Sequence, residues 1–206
     1  MDDMATMNRR ALLHRALLLI GASAMPLSPA ALAATGKGKR LLSGAQYKVL
    51  TALADTIVPV TDTPGALAAG VPKLADGILR DWASAASRTA MIGALGRVDA
   101  AAKSARKKGF AALSAADRAA VLAPFDKAAL VRVPPPPGAP KGSPFSPVAS
   151  VADDGYLKLK VMIVALYYSS EIACTQELIY EHAPGEWQPS IKVTEATRPW
   201  ASTGPF

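Results

Sequence analysis

The proline-rich segment 134–147 places the strongest constraint on the fold, because seven of its residues are proline. Proline lacks a backbone donor and its ring clashes with the preceding helical turn, which excludes a helix or an inner strand here. We therefore predict a proline-rich arm over residues 133–149, which is either a linker or an extended segment lying over a surface. A linker between two domains is disfavoured, because the chain that follows is too short to fold alone.

Apolar residues recur at helical spacing through most of the remaining chain. Ser43, Ser87 and Ser114 precede such runs and are predicted N-caps of helices. Pro72 is predicted to be the first residue of another helix, where its missing donor costs nothing. Pro124 is expected to break or restart the helix that Ser114 begins.

The most apolar part of the chain, residues 156–180, is predicted to be the central helix. Asp153 or Asp154 is its expected N-cap. Residues 161–168 are apolar on every side of a helix, so we expect burial on every side.

These patterns predict an all-α fold, with about five helices in a single irregular domain. The domain is expected to span residues 34–206 and to include the proline-rich arm and an extended tail over residues 181–206. Alanine supplies much of the apolar content, which favours close helix packing over deep pockets.

Residues 1–33 have the features of an export signal. Arg9 and Arg10 precede a short apolar run, and Ala31 and Ala33 occupy the small-residue positions that a signal peptidase requires. Two adjacent arginines before a weakly hydrophobic run resemble a twin-arginine signal, which carries folded cargo, although a chance arginine pair is the alternative. We therefore expect a periplasmic protein that touches the membrane only indirectly.

The mature chain keeps a net charge of +6. Its one dense basic cluster comprises Lys103, Arg106, Lys107 and Lys108, and no aromatic residues lie among them. Nucleic-acid surfaces usually combine both residue types. We expect a solvated helix end and no nucleic-acid partner.

No residue set in the chain predicts catalysis. His182 is the single histidine outside the signal, so multi-histidine metal sites and a serine or cysteine triad are disfavoured. Glycine-rich cofactor motifs and a haem-attachment motif do not occur. Asp55 and Asp62 are isolated carboxylates and only weak candidates for a cation. We predict no catalytic residue, no cofactor and no metal in this chain.

The sequence contains one cysteine, Cys174. In a compartment that favours disulfides, it is either paired with another chain or a buried, inert residue. Trp187 and Trp200 stand in the coil-like tail, where they either pack back on the domain or anchor a partner.

Residues 50–82 (LTALADTIVPVTDTPGALAAGVPKLADGILRDW) and 167–200 (YYSSEIACTQELIYEHAPGEWQPSIKVTEATRPW) together resemble the gluconate 2-dehydrogenase subunit 3 family. The resemblance implies a non-catalytic small subunit that binds, stabilises and escorts a larger one through twin-arginine export. That larger subunit would be a sugar or polyol dehydrogenase of the glucose-methanol-choline type, holding FAD, with a possible cytochrome c carrying haem. Gluconate, glucose and glycosides, as for a glucoside 3-dehydrogenase, all remain open as substrates.

The resemblance also gives Cys174 added weight as an inter-subunit disulfide. The residues expected at the partner interface are Tyr167, Tyr168, Glu171, Trp187, Pro189 and Trp200. The rival hypothesis is a stand-alone periplasmic binding or scaffold protein.

Overall fold

A computed structural model describes residues 39–135, 150–179, 190, 192–194 and 197–200. Over these residues the chain is all-α, as predicted, with two isolated β-bridges in place of a sheet. The five α-helices are α1 (Gly44–Ile57), α2 (Val71–Asp81), α3 (Ala85–Arg106), α4 (Ala115–Ala129) and α5 (Asp154–Tyr168). A 3-10 turn (Phe110–Ala112) precedes α4, and a π-helical turn (Ala173–Glu177) follows α5.

Side-chain caps fix where most of these helices begin. The N-caps predicted at Ser43, Ser114 and Asp153 are confirmed, each side chain accepting from a backbone amide of its helix's first turn. The cap predicted at Ser87 is wrong, because α3 begins one turn earlier and Ser84 caps it. The Ser84 Oγ accepts from the Ser87 amide at 3.2 Å.

Arg88 explains the earlier start of α3. Its guanidinium donates to the carbonyl oxygens of Leu79, Arg80 and Ala83 at 2.7, 3.0 and 3.1 Å. The last carbonyls of a helix have no partner within the helix. One side chain in the first turn of α3 therefore satisfies the end of α2 and fixes the short connection between the two helices.

Helix α4 continues through Pro124, contrary to the predicted break. Pro124 and Ala120 both lie on the exposed face of the helix, so the carbonyl that proline deprives of a donor can bond to water. Val121, Leu122 and Ala129 are buried and hold both halves of α4 against the core.

Helix α5 ends twelve residues before the predicted limit and is not buried all round. Its inner face consists of Tyr156, Leu159, Ile163, Leu166 and Tyr167. On the outer face, Val161 is 56% exposed and Tyr168 is 39% exposed. The most apolar helix of the chain therefore presents apolar side chains to solvent.

Helices α3 and α5 approach each other closely at Gly155. A Cβ atom added at Gly155 would lie 2.3 Å from the carbonyl oxygen of Ala90, which is inside van der Waals contact. Several alanines are fully buried in the same core, among them Ala54, Ala94 and Ala102. The expected close packing by small side chains is present.

Asp76 holds the start of the domain. It is 3% exposed, and its carboxylate accepts from the backbone amides of Leu41 and Leu42 at 3.2 and 2.9 Å. A buried carboxylate needs such donors to offset the loss of hydration. The chain entering α1 is thereby tied to α2.

The two ends of the proline-rich arm meet in space. Arg132 and Val151 form an antiparallel bridge, and the Val133 amide donates to the Ser150 carbonyl at 3.0 Å. The two ends of the described chain on either side of residues 136–149 therefore lie side by side. Residues 136–149 and the export signal at residues 1–33 lie outside the described part of the chain.

None of the helices within the described ranges is both long and apolar enough to cross a bilayer.

Gly155→Ala is expected to destabilise the mature domain by about 1–3 kcal/mol, because the added methyl group must push α5 away from α3. Gly96→Ala is the matched control, since Gly96 lies in α3 with open space around its Cβ position. That change should stabilise by about 0.5–1 kcal/mol through helix propensity. Urea unfolding followed by circular dichroism measures both, and equal stability of the two variants would contradict the close approach.

Candidate functional site

The ionisable residues that sequence analysis considered for a cation do not converge. Asp55 pairs with Arg118 at 3.0 Å, and Asp62 accepts from its neighbour Thr61 at 3.0 Å on the surface. No group of three potential metal ligands occurs among the residues that the structure describes. His182 lies outside them.

The two sequence stretches that carry the family resemblance meet at Tyr167. Its hydroxyl lies 2.6 Å from the carbonyl oxygen of Pro64, across 103 positions of sequence, and shares its single proton between that oxygen and the carboxylate of Glu177. The Tyr167 side chain is fully buried. This contact ties the end of α5 to the loop between α1 and α2.

Glu177, in the π-helical turn, completes this junction. Its carboxylate bonds to the hydroxyl of Tyr167 through one oxygen and accepts from Tyr168 at 2.8 Å through the other. The two tyrosine rings also contact each other edge to face, with centroids 5.1 Å apart. One carboxylate therefore holds both phenols and fixes the turn that follows α5.

The electrostatics around Tyr167 and Tyr168 favour a structural role for both side chains. Burial first, and then Glu177, raise the pKa of Tyr167 to about 12. The hydrogen bond to Glu177 raises the pKa of Tyr168 as well. Both phenols stay protonated at neutral pH, so they serve as hydrogen-bond donors rather than as bases.

The loop held by Tyr167 closes tightly on itself. The Ala66 amide donates to the Val58 carbonyl at 2.9 Å. A Cβ atom at Gly65 would lie 2.8 Å from one backbone atom each of Val58, Pro59 and Val60, so only glycine fits this close approach. Two apolar side chains remain on the surface of the loop, Val60 at 68% and Leu67 at 43% exposure.

The turn after α5 places Cys174 beside Tyr168. The Ser170 hydroxyl donates to the Tyr167 carbonyl at 2.6 Å and accepts from the amide of Ala173, which diverts the backbone from the α-helix. The half-buried thiol of Cys174 then donates to the carbonyl of Tyr168 at 3.3 Å.

The C-terminal tail bonds to the chain just after the π-helical turn. The Ile179 amide donates to the Pro199 carbonyl at 2.9 Å, and Ile179 forms a parallel bridge with Trp200. Trp200 remains 50% exposed. Trp187 and Pro189, also expected at a partner interface, lie outside the described residues.

The structure thus assigns different positions to the residues expected at the interface. Tyr168, Glu171 and Trp200 are exposed, whereas Tyr167 lies inside the domain as a brace. The exposed residues of the loop were not predicted, because a turn-rich segment has no sequence period from which exposure can be inferred. The one local indication of exposure was Val60, which directly follows Pro59 in that segment.

The basic cluster forms the solvated end of α3, as predicted. Lys103 pairs with Asp99 at 2.7 Å and Arg106 pairs with Asp117 at 3.0 Å. Lys107 takes a left-handed conformation with φ of 57° at the helix end. These contacts are typical of a helix terminus rather than of a ligand site.

A family model described as gluconate 2-dehydrogenase subunit 3 matches residues 44–185, which is more than half of the chain. No curated protein and no solved structure matches. The matched range contains all five helices, the loop and the Tyr167 junction.

Tyr167→Phe is expected to destabilise the domain by about 1–3 kcal/mol, because buried acceptors lose their donor. The effect should also depend on pH. A phenol whose pKa is raised by folding contributes stability that is complete below its unfolded value of about 10. In the wild type this contribution is lost as pH rises towards about 12.

Urea unfolding at several pH values between about 9 and about 12 tests this expectation. The stability difference between wild type and Tyr167→Phe should shrink across that window. Tyr168→Phe is the matched control, and its cost should be smaller because Tyr168 is partly exposed. Parallel pH profiles for wild type and Tyr167→Phe would contradict the assignment.

Proposed function

The chain belongs to the gluconate 2-dehydrogenase subunit 3 family, and we propose that it is the non-catalytic small subunit that binds, stabilises and escorts a catalytic subunit. The family name identifies a subunit of a dehydrogenase complex. The match over residues 44–185 is the observation that carries the proposal.

The uses of the polar residues support a non-catalytic role. Asp76, Arg88 and Arg118 bond to backbone groups or to partners on other helices, and Glu177 holds two tyrosines. Such bonds fasten one segment to another. A catalytic group would instead need to face a substrate.

The proposed partner is an FAD-dependent dehydrogenase of the glucose-methanol-choline type that oxidises a sugar or polyol. In this arrangement the partner holds the FAD, and a cytochrome c with haem is a possible third subunit. The small subunit acts by binding the native state of the partner, which stabilises that state by mass action.

The proposed route is twin-arginine export into the periplasm. A flavoenzyme that binds its cofactor before export must cross the membrane folded. If it has no signal of its own, it can cross only while attached to a chain that has one. Residues 1–33, with Arg9 and Arg10, would supply that signal.

Replacing both Arg9 and Arg10 with lysine is expected to retain this chain and the dehydrogenase activity of its partner in the cytoplasm. Arg15→Lys is the matched control, because it changes the third arginine of the signal and should leave export intact. Fractionation of the native host, followed by dye-linked dehydrogenase assays, measures the distribution. Periplasmic activity that survives the double change would contradict the escort role.

Cys174 is the proposed covalent tether to the catalytic subunit, because its thiol is half-buried beside the exposed Tyr168. Cys174→Ser is expected to abolish a heterodimer that survives denaturing electrophoresis without reductant. Ser169, five residues earlier and exposed, provides a neighbouring control, since Ser169→Ala should leave the covalent heterodimer in place. If the two subunits separate without reductant in the wild type, there is no such tether.

A further inference from the structure

Exposed apolar side chains are concentrated in two parts of the sequence. Nine large apolar residues are exposed in the described part of the chain, and six of them fall within residues 50–82 or 167–200. These six are Val60, Leu67, Trp82, Tyr168, Val193 and Trp200. Monomeric proteins rarely leave grouped apolar side chains exposed without an interaction to explain them.

Hydrogen bonds connect the segments that carry four of these side chains. Val60 and Leu67 flank Pro64, which accepts from Tyr167. Tyr168 follows Tyr167 directly. Trp200 is joined to the segment after Glu177 through the bridge at Ile179. We name Val60, Leu67, Tyr168 and Trp200 together the Tyr168 face.

The supporting contacts hold these segments in place before any partner arrives. The buried phenol of Tyr167, the carboxylate of Glu177 and the tight turn at Gly65 each restrict a segment that carries one of the exposed residues. A surface that is already ordered loses less conformational entropy on binding. Exposed aromatic residues on such a surface are favoured anchors.

The charges near the Tyr168 face indicate the chemistry of what binds there. Residues 59–69 contain one charged side chain, Asp62, which is bonded to its neighbour Thr61. Glu177 is occupied by the two tyrosines. The dense basic cluster lies instead at the end of α3. Glu171 is exposed three residues after Tyr168, and Arg198 is exposed two residues before Trp200. An apolar face with few charges, of both signs, fits a protein partner whose patch is mainly apolar and does not suit nucleic acid or an anionic lipid surface, which need concentrated positive charge.

We infer that the Tyr168 face is the surface on which the catalytic subunit docks, through a complementary, mainly apolar patch. The inference rests on the proposed function, because membership of a subunit family requires an interface but does not locate it. The loop and Trp200 provide the outer contacts, and Tyr167 acts behind them as a positioning residue.

Photo-cross-linking from within the native complex tests the location. A benzoyl-phenylalanine is placed at Val60 or at Tyr168, with Lys107 as the control position, and each full-length chain is expressed in the native host with a C-terminal tag. The two face positions should each give a cross-linked band that contains this chain and the polypeptide carrying flavin. Lys107 should give none. A flavoprotein cross-link from Lys107 alone, or a band of twice this chain's mass from the face, would overturn the inference.

Val60→Asp provides an independent measurement. It should lower co-purifying flavin at least about tenfold, which corresponds to about 1.4 kcal/mol of binding free energy. Val131→Asp is the matched control, because this valine is 53% exposed, also lies outside a helix and falls outside both stretches. Circular dichroism confirms that both variants fold. Wild-type association should persist in about 1 M salt, which screens charges but not apolar contacts.

The outcomes separate the two proposals. If the wild-type chain purifies without any flavoprotein, both the proposed function and the docking inference are wrong. If wild type and Val60→Asp retain equal amounts of flavin, the function stands and the Tyr168 face is not the docking surface.

Discussion

The buried hydroxyl of Tyr167 is the interaction on which the organisation of the candidate site depends. It joins a loop near the start of the domain to the end of the last α-helix, over 103 positions of sequence. A phenol suits this position, because its ring fills apolar space while its hydroxyl satisfies a backbone carbonyl that would otherwise be costly to bury. The loop and the π-helical turn are held by this contact and by Glu177 beside it, and the tail bonds to Ile179, two residues after that turn.

Several charged residues of this domain fasten its helices to one another. Asp76 anchors the entry to α1, Arg88 closes the end of α2, and Arg118 links α4 to α1. Asp126 on α4 accepts from Tyr156 and Lys160 on α5 at 2.8 and 2.6 Å. Two of these contacts are ion pairs between helices, Arg118 with Asp55 and Lys160 with Asp126.

Local chemistry made the helix starts predictable, whereas burial depended on tertiary structure. The caps at Ser43, Ser114 and Asp153 follow from their own side chains and the residues just after them. Ser84 caps α3 in place of Ser87, and Arg88, in the first turn of α3, bonds back to the end of α2 and to the connection between the two helices. The sequence pattern indicated that α5 is apolar on every side. Which side is exposed depends on where the other helices pack against it. Likewise, nothing local indicates that Tyr167 reaches Pro64.

The core packing and the candidate site are mechanically coupled through α5. Gly155 lets this helix lie against the backbone of α3, and Tyr167 stands twelve residues further along, about 18 Å away at 1.5 Å per residue. Because a packed helix moves nearly as a rigid rod, its contact with α3 sets where the phenol meets the loop. The core of small side chains offers few groups for catalysis. Its close packing instead fixes the position of α5, and with it the position of the exposed apolar residues. For a subunit whose task is to hold another protein, that use of a core is physically consistent.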